Sequence, residues 1–200
     1  LDGNAMGRRA SFQFGSGLAP GADGPLSSGI GLAVSSGAFT LIAPTRTIAH
    51  TGETAIIDGV RIEFQLTPGA EAPAEMNFFF PDLGVLHMAE NANASLHNVL
   101  TPRGALVRDA KAWADYLTEA LRLYGDRSEI MVTSHFWPRF GAERVRDFLA
   151  SHRDAYKYLH DQTVRLMNAG LTDREIQDRV RLPDALARRW FNRGYYGTMM

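Results

Sequence analysis

Residues 53–66 read ETAIIDGVRIEFQL and give the clearest signal for secondary structure in the chain. Asp58-Gly59 separates two runs that are rich in β-branched and aromatic residues, which is the strongest short-range signal for a β-hairpin. In the second run Val60, Ile62, Phe64 and Leu66 alternate with polar residues. This alternation predicts a strand with one buried face.

Further apolar runs on both sides extend the predicted hairpin into a sheet. They cover residues 39–43, 76–80, 85–88 and 130–133. Residues 1–37 are instead rich in Gly, Ser, Ala and Pro, which suggests disorder. Because this segment also carries Phe12, Phe14 and several aliphatic side chains, a long ordered loop beside a site is at least as good an interpretation.

Helical periodicity follows the strands. Residues 109–124 and 141–168 place apolar side chains three and four positions apart, and Gly125 and Gly170 end the two patterns. Thr172 and Glu175 form a predicted capping box for the next helix. Pro183-Asp184 opens a last short helix, which we expect to carry Trp190 and Phe191. The order of elements predicts an α/β domain followed by an all-α helical segment.

Composition excludes several classes of function. The 200 residues carry a net charge of −1, which gives no electrostatic reason to expect nucleic acid as a partner. The chain has no Cys, so that any metal must be held by His and carboxylates. The sequence has no run of about 18 apolar residues of the kind that spans a membrane.

Three residues, which lie at the ends of predicted strands or in the loop after one, are candidate metal ligands. Glu71 lies in the loop after the strand that ends at Leu66, with Glu75 as a competing candidate. Glu90 ends an apolar strand, where an acid must be paired, bound to a metal or neutralised. The alternative is an N-cap arrangement for a helix at residues 93–99. His135 ends the strand at 130–133 and could bind a metal through one ring nitrogen, although a half-buried structural role is favoured on the local sequence alone.

Other polar residues give weaker signals. Arg103 is flanked by Pro102 and Gly104, and with the hydroxyl of Thr101 it suits a tetrahedral oxyanion, although an ordinary exposed Arg in a turn is favoured on the local sequence alone. Structural roles are favoured for three of the remaining histidines, and two stay open. The first group is His87, His152 and His160, and the second is His50 and His97.

Taken together, the segments resemble the linear alkyl sulfatases of the metallo-β-lactamase superfamily, along nearly the whole chain. The matching strings are APTR at 43–46, TPGAEAPAEM at 67–76, MAEN at 88–91, LHN at 96–98, TPRGA at 101–105, SHFWP at 134–138, YLHDQ at 158–162 and RGYYG at 193–197. The resemblance implies part of a metallo-β-lactamase αββα sandwich at residues 1–139. At residues 140–200 it implies the start of a helical dimerisation domain.

The resemblance also implies an activity, which is hydrolysis of the sulfate ester of linear alkyl sulfates such as dodecyl sulfate. By resemblance Glu71, Glu90 and His135 match metal ligands, and two zinc ions are implied in the complete enzyme. Arg103 matches a position that holds the sulfate group. A homodimer is implied, together with a bacterial and periplasmic or secreted location. An apolar groove that includes Phe12 and Phe14 is expected to hold the alkyl chain.

The chain departs from the family at its start. The string His-x-His-x-Asp-His, which supplies further zinc ligands in the family, does not occur in these residues. We therefore expect the chain to be the latter part of a longer enzyme and to be inactive alone. A non-catalytic dimerisation module and a hydrolase of another ester class are the alternatives.

Overall fold

A computed structural model describes residues 3–22, 24, 40–101 and 103–194, with helix α1 at Gly3–Phe14. Phe39 and the aliphatic residues of 25–38 lie outside these ranges. The chain divides into two compact units. Unit 1 comprises Leu1–Thr47 with Leu100–Val107, and unit 2 comprises Ile48–Val99 with Arg108–Met200.

Unit 1 corrects two predictions. The expected loop over residues 1–37 begins with the twelve-residue helix α1, whose Arg9 guanidinium lies against the backbone of Gly104. The expected strand at 39–43 is wrong for its described part, because residues 40–43 form no strand. Apolar character alone predicted that strand, and none of the six strands among the described residues pairs with residues 40–43.

Unit 2 contains a six-stranded sheet with the strands in chain order. The strands are β1 Thr54–Ile57, β2 Val60–Leu66, β3 Met76–Phe80, β4 Val85–His87, β5 Ile130–Val132 and β6 Arg139–Phe140. All neighbours pair antiparallel except β4 and β5, which are parallel. The predicted hairpin is confirmed, and Asp58 and Gly59 at its tip have φ angles of 50° and 80°.

The helices of unit 2 agree closely with their sequence signals. They are α2 Ala110–Tyr124, α3 Ala142–Asn168, α4 Asp173–Arg179 and α5 Asp184–Ala187, followed by a 3₁₀ turn at Trp190–Asn192. Asp109 caps α2 by accepting hydrogen bonds from two backbone N–H groups, and Thr172 and Glu175 form the predicted capping box. Trp190 and Phe191 lie in the 3₁₀ turn, one turn beyond the helix expected to carry them.

A row of apolar side chains under α2 and α3 forms the core. Phe79, Leu86 and Met131 are direct neighbours across β3, β4 and β5, and all three are buried. Arg139 ends the row on β6, where its guanidinium lies 4.0 Å from the centre of the Phe148 ring of α3. The parallel pairing of β4 and β5 follows from α2, which forms the connection between the two strands.

The predicted buried face of β2 needs a correction. Phe64 is buried, but Val60 is 40% exposed, and Gln65 of the opposite face is fully buried. Gln65 donates to the carbonyl of Tyr116 and to Glu119, and it accepts from Asn77. Hydrogen bonds to α2 therefore offset the burial of a polar side chain that the alternation assigned to solvent.

The predicted α/β fold class is confirmed, with the mixed sheet followed by helices. The domain boundary predicted at residue 139 stays a prediction. Among the described residues, none of the helices is both long and apolar enough to cross a membrane.

Candidate metal centre

Two acidic and two imidazole side chains meet at one edge of unit 2. Nε2 of His97 lies 3.0 Å from Oε2 of Glu90 and 3.9 Å from Oε1 of Glu71. Nε2 of His135 lies 2.9 Å from Oε1 of Glu90. Glu90 thus stands between both rings, and one ligand atom from each of Glu71, Glu90 and His97 lies within 4.8 Å of the others.

The backbone on both sides of the site is strained. Ala89, which precedes Glu90, has a φ of 46°, and Phe136, which follows His135, has a φ of 68°. A bulky residue with positive φ is an outlier that the surrounding structure must hold in place, and such residues cluster at functional sites. The N–H of Ser134 donates to the carbonyl of Ala89 over 2.8 Å and ties the two strand ends together.

Arg108 fixes Glu71. Its guanidinium donates to the Glu71 carboxylate, to the Glu71 carbonyl over 2.6 Å and to the Asn98 carbonyl over 3.0 Å. Arg108 is itself buried, so its charge needs these acceptors. These hydrogen bonds orient the Glu71 carboxylate, as hydrogen-bond partners of metal-ligating residues do in metalloproteins.

The pKa values of Glu90 and Glu75 are shifted in opposite directions. Hydrogen bonds from His97, followed by those from His135, hold the pKa of Glu90 at about 2. Burial raises the pKa of Glu75 to about 7, and the charges of Glu71 and Glu90 add to the rise. Oε1 of Glu75 accepts from the N–H of Glu90 over 2.8 Å. Its Oε2 is buried and has no hydrogen-bond partner among the described residues.

The donor set fits a divalent metal. Four ligands at about 2.0–2.1 Å around zinc place neighbouring ligand atoms about 3.3 Å apart. The separations of 3.0 and 3.9 Å around His97 lie on both sides of this value. Carboxylate and imidazole donors without sulfur suit zinc and its neighbours, and the unpartnered oxygen of Glu75 is consistent with a group that completes this cluster.

The loop that carries His97 is held from α2 and α3. Nε1 of Trp113 donates to the carbonyl of Asn91 over 2.9 Å. Nε2 of His152 lies 2.7 Å from the carbonyl of Asn93 and 3.1 Å from that of Ser95. One helical turn beyond His152, the hydroxyl of Tyr156 accepts the N–H of His97 over 2.9 Å. Structural roles are therefore observed for His152 and also for His87, whose Nδ1 accepts the N–H of Ala89.

Replacing Tyr156 by Phe is expected to lower the free energy of unfolding by about 1–3 kcal/mol, because the buried N–H of His97 would lose its acceptor. Urea denaturation of the wild-type chain and the variant measures this difference. A matched control is Tyr124→Phe, which removes a buried hydroxyl of α2 outside this loop. Equal losses in both variants would contradict the role given to Tyr156.

Acid should weaken the fold through His152. Burial lowers the pKa of His152 to about 4, below its ordinary value near 6.5. A depressed His pKa means that the unfolded chain takes up the proton first. The contribution of neutral His152 to the free energy of unfolding is therefore complete above pH 6.5. It falls by roughly 3 kcal/mol as the pH drops from 6.5 to 4. The pH dependence of urea unfolding should lose this component in His152→Gln, and an unchanged slope would show that His152 does not cause it.

Of the sequence candidates, Glu90 contacts His135 and lies with Glu71 around His97, which the sequence left open. His135 is not among the three residues whose ligand atoms all lie within 4.8 Å of one another. Residues 91–99 form turns and a single bridge at Leu96, so the alternative of an N-cap for a helix at 93–99 is wrong. Thr101 and Arg103 belong to unit 1, where the N–H of Gly104 donates to the carbonyl of buried Thr101. Their role stays a prediction.

Similar proteins point to one class of enzyme. The chain is 47% identical over 199 residues to a linear primary-alkylsulfatase of Pseudomonas and 45% identical to an alkyl/aryl-sulfatase of Saccharomyces cerevisiae. It spans 30% and 31% of the length of these relatives, and each match covers the whole chain. No protein-family profile matches the chain.

Solved structures give the same result. The stereoselective inverting sec-alkylsulfatase Pisa1 from Pseudomonas matches with a TM-score of 0.92 and 45% identity, over 100% of this chain and 32% of that one. A metallo-β-lactamase from Pontibacter korlensis also matches, but its TM-score of 0.39 is too low to support an argument. The resemblance to alkylsulfatases that the motifs indicated is therefore confirmed over the whole chain.

Proposed function

We propose that the chain is part of a zinc-dependent hydrolase that cleaves the sulfate ester of linear alkyl sulfates, such as dodecyl sulfate, into alcohol and sulfate. The observation that carries the proposal is the meeting of Glu71, Glu90, His97 and His135 in a chain that is similar to alkylsulfatases throughout. Carboxylates and imidazoles gathered at the ends of strands suit metal-assisted hydrolysis.

Glu71, Glu90, His97 and His135 are the residues that would hold the metal. When bound, zinc supplies a water of lowered pKa and offsets negative charge on the sulfate. Glu90 offers one oxygen towards each imidazole, so it would hold the metal together with both rings. Arg108 holds Glu71 in place, and the low pKa of Glu90 keeps this carboxylate ionised at any working pH.

Arg103 and Thr101 are proposed to hold the sulfate group. The planar guanidinium of an Arg donates two parallel hydrogen bonds to a tetrahedral oxyanion, and a hydroxyl can add a third. The turn at Thr101–Gly104 supports this role because it fixes the backbone around Arg103. The remaining ligands would come from the rest of a longer polypeptide, so the chain alone is proposed to be inactive.

Sulfate release tests the proposal. The full-length protein should liberate inorganic sulfate from dodecyl sulfate, lose this activity to a chelator and regain it with zinc. Dodecyl phosphate and thioesters serve as controls for the other ester classes that one fold can accommodate. Release of phosphate or thiol without sulfate would assign the protein to another class of hydrolase.

A homodimer is proposed as the assembly, and one observation favours it. A groove of about 400 Å³ between α3 and α4 is lined by Leu159, Met167, Leu171, Ile176 and Val180. Val164 and Met167 of α3 are 41% and 59% exposed. Exposed apolar surface of this kind often marks an interface. Sedimentation equilibrium should give twice the protomer mass, and a dimer without zinc or turnover would favour the non-catalytic alternative.

A further inference from the structure

Four buried polar side chains of unit 2 form a hydrogen-bonded network next to the metal centre. They are Gln65 of β2, Asn77 of β3, Thr67 and Asn91, and we call them the amide network. Nδ2 of Asn77 donates to Oε1 of Gln65 over 2.9 Å. Nδ2 of Asn91 donates to Oδ1 of Asn77 over 2.9 Å and to Oγ1 of Thr67 over 3.0 Å. The network therefore runs from the sheet to the residue that follows Glu90.

Contact with α2 fixes the direction of the hydrogen bonds in the amide network. Nε2 of Gln65 donates to the backbone carbonyl of Tyr116 over 2.9 Å. A carbonyl can only accept, so the amide nitrogen of Gln65 faces α2 and its amide oxygen faces Asn77. The same requirement passes to the next amide, and it makes Nδ2 the atom of Asn91 that faces Asn77.

Thr67 closes the loop that carries Glu71. Its N–H donates to the carbonyl of Glu75 over 2.9 Å, so that residues 67 and 75 form the two ends of the loop. Its carbonyl accepts the N–H of Ala70, the residue before Glu71, over 3.2 Å. A shift of Thr67 would therefore move the backbone that carries the Glu71 carboxylate.

Asn91 holds the turn that carries Glu90. Its N–H donates to the carbonyl of Met88 over 2.8 Å, and its carbonyl accepts from Nε1 of Trp113 over 2.9 Å. The turn contains Ala89 with its positive φ, a strained conformation that persists only where surrounding groups hold it. Two hydrogen bonds from the side chain of Asn91 are part of this support.

Stability of the core alone does not account for the amide network. Apolar side chains of similar shape could fill such positions at little cost, because each buried amide must first lose its water. The network also leaves Oδ1 of Asn91 without a hydrogen-bond partner among the described residues. A buried oxygen of this kind costs stability, whereas a network of buried polar groups fixes one arrangement of the segments that it joins.

From these contacts we infer that Thr67 and Asn91 are positioning residues of the metal centre. The hydrogen bond between their side chains joins the loop of Glu71 to the turn of Glu90 and so sets the separation of the two carboxylates. The inference rests on the proposed function for the identity of the metal. Hydrogen-bond partners that orient metal ligands typically contribute about 10–100-fold to metal affinity or activity.

Thr67→Val in the full-length protein tests the inference, because valine keeps the branched shape of threonine and removes its hydroxyl. Zinc affinity, measured by competition with a chromophoric chelator, should fall about tenfold. The kcat for dodecyl sulfate should fall by a similar factor with KM little changed, since the substrate loses no contact. Thr67→Ser keeps the hydroxyl and should keep zinc affinity and kcat close to the wild-type values.

Ser128→Ala is the matched control for stability. Ser128 is as buried as Thr67, and its hydroxyl donates to the carbonyl of Tyr124 over 2.8 Å at the end of α2. Both Thr67→Val and Ser128→Ala should lower the melting temperature, but only Thr67→Val should lower zinc affinity. A Thr67→Val protein that loses stability like Ser128→Ala and keeps wild-type zinc affinity would overturn the inference.

Asn91→Ala is the second variant, and it decides the matter if Thr67→Val does not fold. It removes the donor of the same hydrogen bond and should lower zinc affinity at least as much as Thr67→Val; wild-type affinity would contradict the role of Asn91. The double variant Thr67→Val/Asn91→Ala should lose no more zinc affinity than Asn91→Ala, and additive losses would show that the two residues act independently.

Zinc affinity also separates this inference from the proposed function, because it does not depend on turnover. If the wild-type protein binds zinc but releases no sulfate, the proposed function fails. A loss of zinc affinity in Thr67→Val would then still support the positioning role. If the wild-type protein binds zinc and releases sulfate while Thr67→Val has unchanged zinc affinity, the positioning role alone fails.

Discussion

Under the proposed function, Glu90→Gln is expected to remove at least one zinc ion per protomer from the full-length protein and to lower dodecyl sulfate hydrolysis at least about a hundredfold. Glu90 is the one described residue whose carboxylate meets both imidazoles, at 3.0 Å from His97 and 2.9 Å from His135. Gln keeps the shape of the side chain and can still accept a hydrogen bond, so that the change removes the charge and leaves the packing unaltered.

Zinc content by mass spectrometry and initial rates of sulfate release measure the effect. Glu143→Gln is the matched control. Glu143 is exposed in the first turn of α3, so its substitution removes the same charge at a position away from the site. The Glu143→Gln protein should keep the wild-type zinc content and the wild-type rate of sulfate release. A Glu90→Gln protein with full zinc content and full turnover would show that Glu90 is not a ligand.

Trp113→Ala is expected to have the largest effect on stability, lowering the free energy of unfolding of the chain by about 4 kcal/mol. Trp113 is fully buried and stacks on Tyr156 with ring centres 4.4 Å apart. It also donates to the carbonyl of Asn91, the residue after Glu90. The variant would therefore lose core packing and leave a buried carbonyl without its donor.

Urea denaturation tests this expectation, and the chain provides its own control. Trp137 is 66% exposed, so Trp137→Ala should cost less than about 1 kcal/mol. Trp113→Phe should fall between the two, because it keeps an aromatic ring but removes the hydrogen bond. Similar losses in the free energy of unfolding for Trp113→Ala and Trp137→Ala would show that Trp113 of α2 does not stabilise the loop of the metal centre.

Local signals in the sequence were sufficient for most of unit 2. The turn at Asp58-Gly59 and the capping box of Thr172 and Glu175 both involve residues close in sequence, so their geometry could be predicted. Alternation failed on β2, where burial of Gln65 depends on Tyr116, fifty-one residues away. Helix α1 was missed because a composition rich in Gly and Ser favours loops over helices.

The candidate site was predictable only where its residues carry a local sequence signal. Glu90 and His135 could be found because each ends an apolar strand, and strand ends are where ligands collect. His97 lies in a loop without a local signal, and its place depends on Tyr156, fifty-nine residues later. Arg108 gave no signal either, since its partner Glu71 is thirty-seven residues away in the sequence.

Anomalous diffraction at the zinc edge, from crystals of the full-length protein, would show whether Glu71, Glu90, His97 and His135 bind the metal. We expect a peak within about 2.0–2.2 Å of carboxylate oxygens of Glu71 or Glu90 and of an imidazole nitrogen of His97 or His135. Hydrolysis of dodecyl sulfate by a protein without a peak at these four side chains would show that they do not form the metal centre.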